Sequence, residues 1–512
     1  MDVELNDHHD IYANTDFCIF VNDQLWDGWI ELNKNSFLLH NDFHQDCQLV
    51  SSNAGSTIGF TFTRRFLTCD ARDYAIEPGT TNFVFAVGSG KPRTLNDSSV
   101  VFDMKYNQLL QRNLPAWPIE MQDTDSLVIK ANNAHVPSEV TTYWCVTVKL
   151  DEILQADKHH IIQIEALITP GNEFLVHHME IFHCPEPIEA TYNGNCDYKS
   201  ESAHLRTCSR VIAAWAMGAG PIVYPPEAGL PFGGPDFNPW VMVEIHYNNV
   251  EKKSGIIDES GFRLTYTKNL RPNDAAIMEL GLIYSDANSI PPGRSNWAMT
   301  GECVADCTNK FPKEGITIFA SQLHSHLTGR KLWTSHYRDG VKIGEINRDN
   351  HFSPHWQVIR RFQGLKKVFP GDVLSTTCVY ETLDKKNWTW GGYGIEDEMC
   401  VNYIYYYPAS EVEVCKSAVD NSTLHKFFSA FGVKNHKLKI HEKYLTVKWS
   451  ERRYKFLNEL YTSGNLNMHC LNHAGDLFPS HRTNWTNIPR PETFAGVYTK
   501  DRALFECPSI ND

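Results

Sequence analysis

Residues 315–327 read GITIFASQLHSHL, and the way these residues alternate decides the fold class. Ile, Thr, Phe and Ala in a short run opened by glycine suit a pleated, half-buried strand. Residues two apart on such a strand project from one face, so His324 and His326 present two imidazoles to one point without distorting the backbone. The same kind of text recurs as TTYWCVTVKL (141–150), FLVHHMEIF (174–182), VMVEIHYNN (241–249) and CVNYIYYYP (400–408), broken by Gly, Pro and Asp clusters. This pattern predicts an all-β protein of stacked antiparallel sheets. Between KLWTSHY (331–337) and VKIGEI (341–346), the turn Arg338-Asp339-Gly340 supplies the positive φ values that a tight hairpin needs.

Helical spacing stands out only late in the chain. Leu424, Phe427, Phe428 and Phe431 follow i, i+3, i+4, i+7, with Asn421 or Ser422 as the cap and Gly432 as the stop. Tyr454, Leu457, Leu460 and Tyr461 mark a second packing helix in RRYKFLNELYTS (452–463). The Pro- and Gly-rich stretches 222–238 and 290–296 interrupt the strands as loops or linkers, and there is no short repeat or low-complexity tract.

A chain of 512 residues predicts three or four domains. Its formal charge of -14, from 61 acidic against 47 basic residues, gives phosphate-backbone binding little electrostatic support, so no nucleic-acid partner is expected. Fourteen cysteines and the sequons at Asn96, Asn387, Asn421 and Asn484 point to an oxidising compartment, the secreted space or a vesicle lumen. The first residues, MDVELNDHHDIYANTDF, lack a basic stretch followed by an apolar one, and no segment is apolar enough to span a membrane. The expectation is a secretory protein whose signal sequence is missing from a truncated N-terminus.

Among 23 histidines, those inside strand-like text carry the chemistry: His177-His178, His246 and His324-x-His326. A single histidine of this kind is ordinarily a hydrogen-bonded structural residue, but clustering within apolar strands argues for metal ligation. Neighbours His177 and His178 would point to opposite faces of a flat strand, so sharing an ion requires a bulge, a strand end or different ring nitrogens. His246 shares a face with Met242 and Glu244, opposite Val241, Val243, Ile245 and Tyr247, and would complete a three-histidine site. Imidazole suits zinc, copper, iron or nickel, whereas a thioether such as Met399 in EDEMCVNY favours cuprous ion. A zinc hydrolase is disfavoured, because no HExxH motif is present and methionine is a poor zinc ligand.

The stretches LVHHMEIFHC, EIHYNN, FASQLHSHLTGRKLW, DNHFSPHWQVIR and GGYGIEDEMCVNYIYYYP resemble those of the copper type II, ascorbate-dependent monooxygenases, from about Cys69 to Cys507. The resemblance implies two consecutive jelly-roll-like antiparallel β-sandwich copper domains, at 96–265 and 266–420. A partial DOMON-type sandwich at 1–95, seen in FTFTRRFLTCDARDYAIEPGTTNFVFAV, would precede them, and an extension with short helices at 421–512 would follow. It implies two copper ions per chain. His177, His178 and His246 would hold the electron-transfer copper, and His324, His326 and Met399 the oxygen-activating one, so all six ligands are present. Ascorbate would supply electrons, O₂ would be the co-substrate, and a phenylethylamine of the tyramine or dopamine class would be hydroxylated at its β carbon, as in catecholamine or octopamine biosynthesis. Glu279 in IMELGLIY and Tyr406 match positions of substrate contact in the family.

The family pattern would pair Cys69 with Cys507, Cys145 with Cys196, Cys184 with Cys208, Cys303 with Cys415, Cys307 with Cys470 and Cys378 with Cys400. Cys18 and Cys47 are left to pair with each other. The stretch FGVKNHKLKIHEKYLT (431–446) lacks the cysteine pair that links subunits in some members, so an oligomer would have to form by another route. Two alternatives to the amine hydroxylase stand: a peptidylglycine α-hydroxylating type of monooxygenase, and a non-catalytic secreted copper-binding module. The complete ligand set argues against the second.

Overall fold

The computed structural model describes residues 16–493 apart from 34–35, 55–57, 71, 89–100, 111–113, 115–116, 119–122, 197–204, 206, 209, 250, 395, 436 and 480–483. These fall into two units, one within 1–112 and the other within 113–496. The first unit carries a three-stranded antiparallel sheet, Asp16–Val21, Gln24–Asn33 and Ser36–Asn41. Two hairpins join it, Gln48–Ala54 with Ile58–Thr63 and Thr81–Val87 with Val101–Asn107. A Cys18–Cys47 disulfide lies in this unit, whereas the Cys69–Cys507 pairing falls outside the described residues.

The second unit holds two consecutive sandwiches. The site-bearing sheet of the first contains β1 (Thr141–Lys149), β2 (Val176–His183), β3 (Arg210–Ala216) and β4 (Trp240–Asn248), in the spatial order β1-β4-β2-β3. Its other sheet is built on Thr124–Lys130, Lys158–Leu167, Ala228–Gly233 and Gly261–Thr267. Period-2 alternation sends Met179, Ile181, Val243 and Ile245 into the core between the sheets, all fully buried, and leaves the opposite face to Glu180, Glu244 and His246.

The second sandwich comprises β5 (Ala276–Leu282), β6 (Trp297–Cys303), β7 (Ile316–His324), β8 (Gly329–Arg338), β9 (Val341–Asp349), β10 (Arg360–Val368), β11 (Val373–Tyr380), β12 (Val401–Tyr407), β13 (Val412–Val419) and β14 (Leu466–Asn472). One sheet runs β10-β7-β12-β5-β13-β14 and the other β6-β11-β8-β9. The hairpin between β8 and β9 turns on Asp339 and Gly340, at φ 51° and 76°. Among the described strands, pairing is antiparallel except that β5 runs parallel to β13 and Ala228–Gly233 runs parallel to Asn273–Asp274.

Between β13 and β14 lie α1 (Asn421–Ala430), α2 (Ile440–Thr446) and α3 (Glu451–Ser463). The cap of α1 is Asp420, one residue earlier than the sequence suggests. Its carboxylate accepts from Thr423 N at 3.0 Å, which an amide or hydroxyl at 421 or 422 cannot do from inside the first turn. Leu424, Phe427, Phe428, Tyr444, Leu457 and Tyr461 form one buried cluster with Trp297 of β6 and Tyr380 of β11. The helices thus extend the core of the second sandwich. Disulfides Cys145–Cys196, Cys184–Cys208, Cys303–Cys415, Cys307–Cys470 and Cys378–Cys400 brace this unit. No helix among the described residues is long and apolar enough to cross a membrane.

Candidate metal centres

Sheet register builds the first centre. His178 of β2 stands opposite His246 of β4, and Tyr143 of β1 stands on the other side of His246. A register shift between Val176 and His178 makes His177 the extra residue of a bulge, and the bulge brings adjacent histidines to one point. His178 Nδ1 lies 3.2 Å from His177 Nδ1 and 3.2 Å from His246 Nδ1, and Tyr143 stacks on His246 at 4.5 Å between ring centroids. His246 Nε2 is buried without a hydrogen-bond partner. Burial, reinforced by the neighbouring imidazoles, pushes His177 down to about 4 and His246 to about 3, and holds His178 well below the usual histidine value. Three neutral rings whose nitrogens converge within 4.8 Å, one of them with an orphaned buried nitrogen, form a set of lone pairs that fits copper.

The second centre forms where β7 ends. His324, its last residue, pairs with Val401 at the start of β12, and this cross-strand contact brings the 397–399 segment beside the turn at 325–328. His324 Nδ1 lies 2.7 Å from Gln357 Oε1, and His326 Nδ1 lies 2.9 Å from the Asp397 carbonyl. Each acceptor takes the Nδ1 proton and leaves an Nε2 lone pair, the tautomer a metal-binding imidazole requires. Burial pushes His324 down to about 3. Met399 follows directly, partly buried, its carbonyl accepting from Tyr380 Oη at 3.0 Å. Two imidazoles and a thioether from these residues would be a donor set suited to cuprous ion. His326 is near enough to add to the depression of His177, His178 and His246, so the two centres lie within electrostatic reach of each other.

A polar layer continues from both centres. Glu180 and Glu244 stand opposite each other one step along the sheet from His178 and His246. Burial, with Glu244 and Glu279 adding repulsion, pushes Glu180 up to about 8. Glu279 of β5 pairs with buried Lys416 of β13 and accepts from Tyr284 Oη at 3.2 Å, while Lys416 Nζ sits 3.7 Å from the Tyr284 ring centroid. Glu279 and Tyr406 are not brought together. Glu279 shares a face with its partner Tyr403, whereas Tyr406 is fully buried on the opposite face, its hydroxyl donating to the Val412 carbonyl at 3.2 Å. Asn387, Asn421 and Asn484 are exposed, and Asn96 lies outside the described residues. Sequence reading misses Gln357, Glu398, Lys416 and Tyr403, because their roles arise from tertiary contacts; the one local signal is that Glu398 directly precedes Met399.

Comparison with known proteins covers both sandwiches. The N-terminal domain of the copper type II ascorbate-dependent monooxygenases matches residues 127–254, and the C-terminal domain matches 273–428. A tyramine beta-hydroxylase of Caenorhabditis briggsae is 49% identical over 477 residues, 88% of this chain and 80% of that protein. A dopamine beta-hydroxylase of Rattus norvegicus is 41% identical over 479 residues, 90% and 76% of the two chains. The human DBH-like monooxygenase protein 1 is 33% identical over 402 residues, 75% and 63% of the two chains. Two family domains end to end across the two sandwiches, with nearly half the aligned residues shared with one relative, make this chain a copper-dependent oxidoreductase of the copper type II, ascorbate-dependent monooxygenase family.

Proposed function

We propose that the protein hydroxylates the β carbon of a phenylethylamine of the tyramine or dopamine class, with ascorbate as electron donor and O₂ as co-substrate. The observation that carries this reading is the convergence of His177, His178 and His246, with the imidazoles of His324 and His326 within electrostatic reach of them. His177, His178 and His246 would hold the electron-transfer copper, and His324, His326 and Met399 the oxygen-activating one. Copper bound there supplies reversible one-electron chemistry and, in its cuprous form, affinity for O₂. The names of the relatives, tyramine and dopamine beta-hydroxylase, support the substrate class.

The protein's own groups do the positioning. A phenylethylamine is a cation at neutral pH, so Glu279 is the carboxylate we assign to its ammonium group. Tyr403, on the same face as Glu279, suits the aromatic contact better than Tyr406, whose hydroxyl is committed to Val412. Gln357 and the Asp397 carbonyl keep His324 and His326 in the ligating tautomer. The disulfides support a secreted or vesicle-lumenal setting.

The test is to incubate copper-loaded protein with ascorbate, O₂ and a panel of phenylethylamines and glycine-extended peptides. β-Hydroxylated amine is expected; hydroxylated peptide alone would move the reading to the peptidylglycine type, and ascorbate oxidation with no product would favour a binding module. Met399→Leu, similar in size but without the sulfur, is expected to abolish product while keeping the circular dichroism of the fold. Full activity in that variant would remove Met399 from the site.

A further inference from the structure

We propose that Glu398 is the positioning residue of the second centre, a clamp that fixes the His326 turn against the segment bearing Met399; this rests on the reading of His324, His326 and Met399 as one copper site. The ligands come from two separate pieces of chain, the end of β7 with its turn and the segment before β12. Cross-strand pairing joins them at His324 and Val401 and stops there, so beyond that rung side chains must set the spacing. Glu398 spans the gap. Its Oε1 accepts from Thr328 N at 2.6 Å and Thr328 Oγ1 at 2.7 Å. Its Oε2 accepts from Ser325 Oγ at 2.8 Å, His326 N at 3.0 Å and Met399 N at 3.2 Å.

This geometry separates a clamp from a ligand. A carboxylate offers about four lone-pair positions, and the five donors on Glu398 use all of them, which leaves nothing for a metal. The donors also flank His326 on both sides in sequence and include the Met399 amide, so this one side chain holds the backbone of two of the three ligands. The Gln357 side chain meets the His324 ring and donates to the Ser325 and Pro354 carbonyls, contacts on the β7 side of the gap. Glu398 is 3% exposed, so water cannot substitute for it. The turn it holds is tight as well, since a Cβ at Gly329 would stand 2.5 Å from Ser325 Oγ.

The experiment compares the full chain with Glu398→Gln, both loaded with copper and reduced by ascorbate, by X-ray absorption and by anaerobic titration of cuprous ion against a chelator. Glutamine keeps the shape but turns an amide NH₂ toward donors, so the clamp opens. The expected result is loss of the copper–sulfur shell and about a 10- to 100-fold weaker second equivalent, with the first equivalent unchanged at the three-histidine site. A simple loss of fold would remove both equivalents, and in that event Ser325→Ala, which deletes one donor, decides: a smaller loss of the same sign supports the clamp, and an unchanged sulfur shell overturns it. A sulfur shell and second affinity in Glu398→Gln equal to the parent's overturn the clamp alone. A parent protein that lacks any sulfur shell overturns the Met399 reading, and the clamp with it.

Discussion

An imidazole can give its lone pair to a metal only when neutral, and burial keeps these rings neutral. His177, at about 4, and His246, at about 3, stay unprotonated well below the ordinary histidine value of 6.5. Copper retention at the first centre is therefore expected to be nearly flat from about pH 7 to 5, where exposed imidazoles would already release metal, as dialysis with atomic absorption will show. The same shifts set the stability of the metal-free protein. Unfolded histidines bind protons below 6.5 while the folded ones do not, so stability is lost as pH falls from there toward 4. Glu180 and Glu413 have the opposite sign: folded, they hold a proton up to about 8, and unfolded they release it near 4.5, so stability is lost as pH rises through that window. The metal-free denaturation midpoint is expected to peak between roughly pH 6 and 7; a monotonic profile would contradict the burial of these groups. The candidate histidines could be picked out in the sequence, because a strand face can be read from spacing. Their hydrogen-bond partners could not, because Gln357 and Asp397 reach them from distant parts of the chain.

Strand text was read correctly wherever alternation was strong, as in β4 and β7, and the hairpin at Asp339-Gly340 followed from its turn residues. Local pattern could pose the question of the adjacent histidines but not answer it, since a bulge is defined by the partner strand and β2 shows its shift only against β4. The helix α2 escaped notice for a similar reason. Its seven residues, IHEKYLT, bury Tyr444 against the Tyr461 hydroxyl 2.5 Å away, a contact with no trace in local periodicity. Close strand packing gives a sharper test. A Cβ at Gly301 of β6 would stand 2.0 Å from the Gly281 carbonyl of β5, where only backbone could yield. Gly301→Ala is expected to cost about 1–3 kcal/mol or more in urea denaturation, and a change below ~0.5 kcal/mol would show that the two strands can part without penalty.

At the scale of the second unit, one close approach runs between segments that neighbour both centres. Gly218, at φ 86°, lies just beyond β3, and the Met217 N–H beside it donates to the His177 carbonyl at 3.0 Å. A Cβ on Gly218 would stand 2.3 Å from Cδ1 of Trp356, the residue before the glutamine that orients His324. Gly218→Ala is therefore expected to leave both copper equivalents bound but to lower the hydroxylated product formed per ascorbate consumed; an unchanged ratio would separate this contact from turnover. Long-range disulfides stiffen the same unit. Cys303–Cys415 and Cys307–Cys470 close separations of 112 and 163 residues, each stabilising by on the order of 5 kcal/mol in the chain-entropy picture. The second of these ends in β14, and β14 completes the sheet that carries His324. A ribosome must therefore translate past Asn472 before that sheet has its last strand, and until then β13 offers a bare edge to any neighbour. Messages cut short upstream of Leu466 are expected to yield sticky, chaperone-bound protein instead of a slower enzyme.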